Sequence, residues 1–163
     1  MSKPTLLICD EHSGALRSAT PEEILEAARA TLARKLNRGA RLESPRAVRD
    51  YLALSLSERP HEIFGVIYLD NRHRVIEWQE LFRGTIDGAS VHPREVVKEA
   101  LARNAAAVIL VHNHPSGVAE PSQADELVTR RVRDALLLVE IRVLDHLIVA
   151  GGSITSLAEQ GCI

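Results

Sequence analysis

Two histidines with one residue between them, His112 and His114, close an apolar run in the stretch 105-AAAVILVHNHPSGVAEPSQADE-126. Neutral imidazole nitrogens are good ligands for a borderline divalent cation, and residues i and i+2 of a strand project from the same face. If the strand reaches past Val111, both rings aim at one point. Two imidazoles are half of a zinc site, because zinc takes about four ligands, of which one or two can be carboxylate or water. Asp125 is the nearest third ligand, and a loop containing Pro115, Gly117 and Pro121 can fold it back over the strand end. Each piece also has a plainer reading. Strand-end histidines commonly bond backbone or solvent, and Ser122-Gln123-Ala124-Asp125 is equally a capping box that satisfies free helix amides. The two readings are compatible, since a capped helix start is a rigid place from which to present a carboxylate.

The elements that must hold these residues are legible from rhythm and punctuation. The first nineteen residues hold one short apolar run, 6-LLIC-9, and read as a loose arm or one edge strand. Thr20-Pro21-Glu22-Glu23 signals a capped helix start, with the helix expected to run to about Asn37. Ser44-Pro45 repeats the signal, and Val48, Tyr51, Leu52 and Leu54 keep a helical spacing until Ser57. After Pro60 the period changes: 62-EIFGVIYLD-70 and 74-RVIEWQELFRG-84 form a hairpin around Asn71-Arg72-His73. A helix over 94–104, a buried strand from Ala105 to Val111, a long helix opened by Ser122 and a final pair of strands around 141–154 complete the order. This is a mixed α/β chain of the α+β type, a central sheet with flanking helices. It divides into an N-terminal arm and helix, 1–40, and one domain, 41–163.

The blocks 91-VHPRE-95, 112-HNHPSG-117, 121-PSQAD-125 and 145-DHLIV-149 carry a resemblance. His112-Asn113-His114-Pro115 followed by Ser122 and Asp125 resembles the H-x-H-P-x6-S-x2-D pattern of the JAMM (MPN) superfamily of zinc hydrolases, and the four blocks together look like its RadC branch. The match covers about residues 44 to 160. Asn113 departs from the serine or threonine common in deubiquitinating members, but is usual in RadC-like chains. The resemblance implies an MPN/JAB sheet architecture, similar to that of cytidine deaminases, and a short form of the kind found on prophages and other mobile elements, without the N-terminal helical region of longer RadC proteins.

It further implies Zn2+ bound by His112, His114 and Asp125, with the fourth position left to water. Three protein ligands and an open position suit attack on a carbonyl. By the same resemblance Ser122 stabilises the oxyanion, and a glutamate at the start of the first sheet strand acts as general base. Glu62 is that glutamate by position, with Glu80 on the second hairpin strand as the alternative. Asp145 and His146 read as groups supporting the ligands or as structural residues, His146 sharing a face with Leu144 and Ile148. His92 and Arg94 can contact a substrate, but capping and solvation explain them as well.

The expected reaction is cleavage of a peptide, isopeptide or small amide bond by metal-activated water. A DNA-repair or mobile-element accessory, binding DNA or a repair protein without catalysis, is the competing class. A net charge of -2 and only one Trp, two Tyr and two Phe offer little to a phosphate backbone or to unstacked bases. Basic 130-RRVR-133 lies among acidic neighbours and reads as a solvated helix face. A zinc deaminase is excluded because no P-C-x-x-C accompanies the histidines. Cys9 and Cys162 suggest no disulfide framework, no run approaches the roughly 18 apolar residues of a membrane span, and the expectation is a cytoplasmic protein with a homodimer as the candidate assembly.

Overall fold

A computed structural model of the chain describes residues 6–10, 14–35, 45–57, 59–84 and 90–163. The expected end of the first helix, at 37–39, and Ser44 lie outside these residues, as does His12.

The N-terminal run pairs with its neighbour rather than with the main sheet. Leu7–Cys9 (β1) and Leu16–Ser18 (β2) form an antiparallel two-stranded ribbon. Helix α1, Pro21–Lys35, opens on the capping box read from the sequence: the Glu23 amide donates to Thr20 Oγ1 at 3.3 Å, and the Thr20 amide to Glu23 Oε2 at 2.8 Å. The arginine of Arg29 reaches the Leu54 carbonyl of α2, Pro45–Leu56, at 3.1 Å.

Five strands form the main sheet in the order β4-β3-β5-β6-β7. The hairpin is β3, Ile63–Leu69, with β4, Val75–Arg83; β5, Ala107–Asn113, lies antiparallel to β3 and parallel to β6, Arg142–Ala150, and β7, Ser153–Ser156, closes the edge. The parallel pair needs a crossover, and α4, Gln123–Leu137, supplies it. Helix α3, Pro93–Ala102, lies beside α4. Every residue of β3 is buried, because helices cover both faces of the sheet. On one side Val48, Leu52 and Leu56 of α2 pack on Ile63, Ile67, Leu69, Ala107 and Val111. On the other, Val96 and Ala100 of α3 and Val132 and Leu136 of α4 pack on Phe64, Val66, Tyr68, Val108 and Leu110. Among the described residues no helix is long and apolar enough to cross a membrane.

Two irregularities decide which side chain meets which face. Pairing of β3 with β4 shifts between Phe64 and Gly65, and that of β5 with β6 shifts at Leu144, the extra residue between the Val108–Val143 and Ile109–Asp145 pairs. The indole of Trp78 occupies the space above Gly65: a Cβ there would collide with Trp78 Cη2 and stand 2.8 Å from the Gln79 carbonyl oxygen. Gly65→Ala is therefore expected to lower stability by about 1–3 kcal/mol, read as a shift of the urea midpoint at unchanged slope; a wild-type midpoint would mean that Trp78 moves aside freely.

Candidate metal centre

The site forms where β5 ends, beside the start of β3 and the N-terminus of α4. Strand β5 continues two residues past Val111, so His112 and His114 do point to one face, the α3–α4 side shared by Val108 and Leu110. Their rings lie 4.5 Å apart at 82°. Glu62 precedes Phe64 by two residues at the mouth of β3 and reaches the same place, its Oε1 standing 3.6 Å from His112 Nε2. One ligand atom from each of Glu62, His112 and His114 lies within 4.8 Å of the others, close enough to hold one metal ion.

Asp125 approaches through the other nitrogen of His112: its Oδ1 is 3.3 Å from His112 Nδ1, and its Oδ2 is 3.3 Å from His114 Nε2. The capping box forms as read, with Asp125 Oδ2 accepting from the Ser122 amide at 2.7 Å and from Ser122 Oγ at 2.6 Å, while the Asp125 amide donates to Ser122 Oγ at 3.2 Å. Burial works against ionisation of Asp125, but the hydrogen bonds from His114 and Ser122 outweigh it and hold the carboxyl well below the usual range. The hydrogen bond to Asp125 raises the pKa of His114 against the opposing effect of burial.

Tautomers follow from the partners. His114 Nδ1 lies 2.7 Å from the Val118 carbonyl, which can only accept, so Nδ1 carries a proton; Nε2 faces the site, donating to Asp125 when the ring is protonated and offering its lone pair to a cation when it is neutral. His112 Nδ1 is buried and lacks a hydrogen bond, the nearby Asp125 oxygen being badly aligned. A buried nitrogen without a partner costs stability unless something else satisfies it. Two imidazoles and two carboxylates gathered about the His112 ring form a donor set that fits a borderline divalent cation.

Behind His112 stands a second layer. His146 is fully buried, its ring 5.8 Å from that of His112 and 5.6 Å from that of Phe64. Thr129 Oγ1 donates to the Asp125 carbonyl at 2.5 Å, so the 2.6 Å contact to His146 Nδ1 is a donation from the ring. Burial pushes the His146 pKa down to about 3, and the nearby imidazoles of His112 and His114 add to the cost of a second positive charge there. An unfolded chain takes up this proton below about pH 6.5, whereas the folded one refuses it until about 3. This contribution to stability is complete above pH 6.5 and is lost as pH falls toward 3, at a slope approaching about 1.4 kcal/mol per pH unit. Urea unfolding of the metal-free protein is expected to show it, and His146→Gln to flatten it; an equal slope in the variant would contradict this origin.

The bulge corrects one expectation. His146 shares a face with Ile148 but not with Leu144, which packs toward α2. Asp145 is separated from the site as well: it pairs with Ile109, and its carboxylate accepts from Ser156 Oγ at 2.7 Å, the His146 amide at 2.7 Å and the Ala158 amide at 3.1 Å. It is a clasp on β7. Glu80 is placed elsewhere too, opposite Gly65 in the sheet and 3.3 Å from Arg59 Nη2. His92 packs edge-on against Phe82 at 6.0 Å and makes no side-chain cap, and Arg94 is exposed beside Glu95. Arg130 pairs with Glu126 on an exposed stretch of α4.

Around the histidines opens a cavity of about 400 Å³, with Glu62, Ser122 and Asp125 at its polar end and Phe64, Val91, Val118 and Val128 as apolar walls. The sequence did not reveal these walls, the part played by Thr129 or the contacts of Asn113, which it offered only as a motif residue. Thr129 follows Asp125 by four residues and so shares its helix face, a signal that was available. Asn113 Oδ1 accepts from the Ile63 amide at 2.7 Å and its Nδ2 donates to the His61 carbonyl at 3.2 Å, contacts across fifty residues that no local pattern reveals.

Comparison with known proteins places the chain in a family. A family model described as RadC-like JAB domain matches residues 42–162. The chain is 60% identical over 148 residues to a UPF0758 protein of Ectopseudomonas mendocina (strain ymp), an overlap of 91% of this chain and 66% of that protein. It is 59% identical over 150 residues to a UPF0758 protein of Thioalkalivibrio sulfidiphilus (strain HL-EbGR7), covering 92% and 67%, and 60% identical over 139 residues to one of Nitrosococcus oceani, covering 85% and 62%. It thus spans about two thirds of the length of these curated relatives. With its mixed five-stranded sheet, its flanking helices and a family match over most of its length, the chain belongs to the RadC-like JAB domain family.

Proposed function

We propose that this protein is a zinc-dependent hydrolase that cleaves an amide bond, of peptide or isopeptide type, with water as the nucleophile. One observation carries the reading: His112, His114, Asp125, Ser122 and Glu62 converge on a single opening in which the buried Nδ1 of His112 lacks a hydrogen bond. In this reading His112, His114 and Asp125 hold the metal. Bound zinc would bring the pKa of a coordinated water to about 7 and polarise a carbonyl.

The remaining steps belong to the chain. Glu62, whose side chain is 18% exposed at the lip of the cavity, takes a proton from the attacking water and delivers it to the departing amine. Ser122 is poised to donate to the carbonyl oxygen as charge develops there, which requires its hydroxyl to rotate away from Asp125. Phe64, Val91, Val118 and Val128 keep competing water from the scissile bond and hold apolar parts of the substrate. Glu62, Glu120 and Asp125 line the opening and disfavour a phosphate backbone, so the DNA-binding alternative draws no support from the site.

The test is hydrolysis of a panel of fluorogenic peptides and lysine isopeptides by metal-stripped protein before and after zinc is returned. Turnover that appears only with zinc supports the proposal. No turnover of any substrate at full zinc occupancy would favour a domain that keeps the metal for a binding role.

A further inference from the structure

We propose that Asn113, the residue between the two histidines, is a positioning residue that sets where Glu62 stands at the metal site. The inference rests on the function proposed above. Residue pairing between β3 and β5 ends at Phe64 and His112. Beyond that rung the strands are joined by a side chain: the Ile63 amide donates to Asn113 Oδ1 at 2.7 Å, and Asn113 Nδ2 donates to the His61 carbonyl at 3.2 Å. The two partners are the residues on either side of Glu62. Its backbone is thereby tied to the strand that carries both histidines.

From the opposite edge the Gly84 amide donates to the Glu62 carbonyl at 2.8 Å. Held from both neighbouring strands, Glu62 keeps only its side-chain torsions with which to move relative to His112. Asparagine suits this place because it is the shortest side chain with a donor and an acceptor on one planar group, and its two partners demand one of each. Asn113 is 1% exposed and Ile63 is buried with it, so loss of the first bond would leave a buried backbone N–H unpaired. Displacements of about 1 Å at a reacting centre can cost on the order of 100-fold in rate, so an anchor beside a proton-carrying glutamate acts on chemistry as well as on folding.

Cobalt(II) is the probe, bound to the full chain in place of zinc. Visible ligand-field bands and dissociation constants, the latter by competition with a chelator, are compared for wild type, Asn113→Ala, Glu62→Gln and the double variant. Asn113→Ala is expected to bind cobalt at the wild-type stoichiometry, about tenfold more weakly, with bands displaced as in Glu62→Gln. In the Glu62→Gln background the same change should have no further effect on the bands, because an influence that runs through Glu62 cannot be additive with its loss. A purely structural role would lower the melting temperature equally in both backgrounds and leave the bands alone. Asn113→Thr, which keeps a hydroxyl on a strand-compatible residue, is the variant to read if alanine fails to fold, with an intermediate displacement expected. Wild-type bands in a folded Asn113 variant, or an equal displacement with and without the Glu62 carboxylate, would overturn the proposal and leave the metal site standing. Absence of cobalt binding in the wild type would overturn both.

Discussion

Replacing Glu62 by glutamine is expected to lower kcat for amide hydrolysis by about 10²–10⁴-fold, the usual contribution of a general base, with metal content retained. The substitution keeps shape and an oxygen donor while removing the proton acceptor. Glu62 is the carboxylate beside His112 Nε2, at 3.6 Å, and Glu80 stands beside Arg59 opposite Gly65. Steady-state kinetics on the zinc-loaded protein, with metal measured on the same sample, separates the possible outcomes. Unchanged turnover would remove Glu62 from the mechanism. Loss of metal to the extent seen on deleting a histidine would make Glu62 a ligand rather than the base, a position its membership in the His112–His114 cluster also permits.

Ser122→Ala is expected to reduce kcat by about 10²–10³-fold, the effect of losing one donor to an oxyanion. Ser122 has a second occupation, because its hydroxyl is the N-cap of α4 and bonds Asp125 in both directions. Losing that cap costs about 0.5–2 kcal/mol, so stability and rate should fall together in alanine. Threonine keeps both hydroxyl and cap and should recover most of each. A serine that only caps would show the stability loss with kcat unchanged, and that result would dismiss its catalytic role.

How much of this could be read from the chain depended on how local each cause was. His112 and His114 were legible because alternation along a strand is a property of neighbours, and the Ser122–Asp125 box because capping is settled within one turn. The faces of Glu62, Glu80 and His146 were harder. Alternation counted from Leu144 puts His146 on the same side as that leucine, and the extra residue in β6 reverses it. Glu62 and Glu80 look alike as carboxylates in a β-hairpin until the pairing with β5 is known, and that pairing brings together residues 38 to 48 positions apart. The Asn113 bridge was hidden for the same reason. Family resemblance supplied what spacing could not: the order of the four blocks and the search for an upstream glutamate.

The central claim is that two histidines and the capping aspartate hold a metal. Mass spectrometry of bound metal in untagged protein tests it most directly, with wild type compared against His114→Ala and Asp125→Asn, each checked for folding. Asparagine at 125 still accepts the Ser122 amide and so preserves the helix start that alanine would damage. The account predicts zinc in wild type at about one ion per chain, as expected for a single site, and its loss from both variants. Metal-free wild type after incubation with zinc, or variants that keep wild-type occupancy, would contradict it.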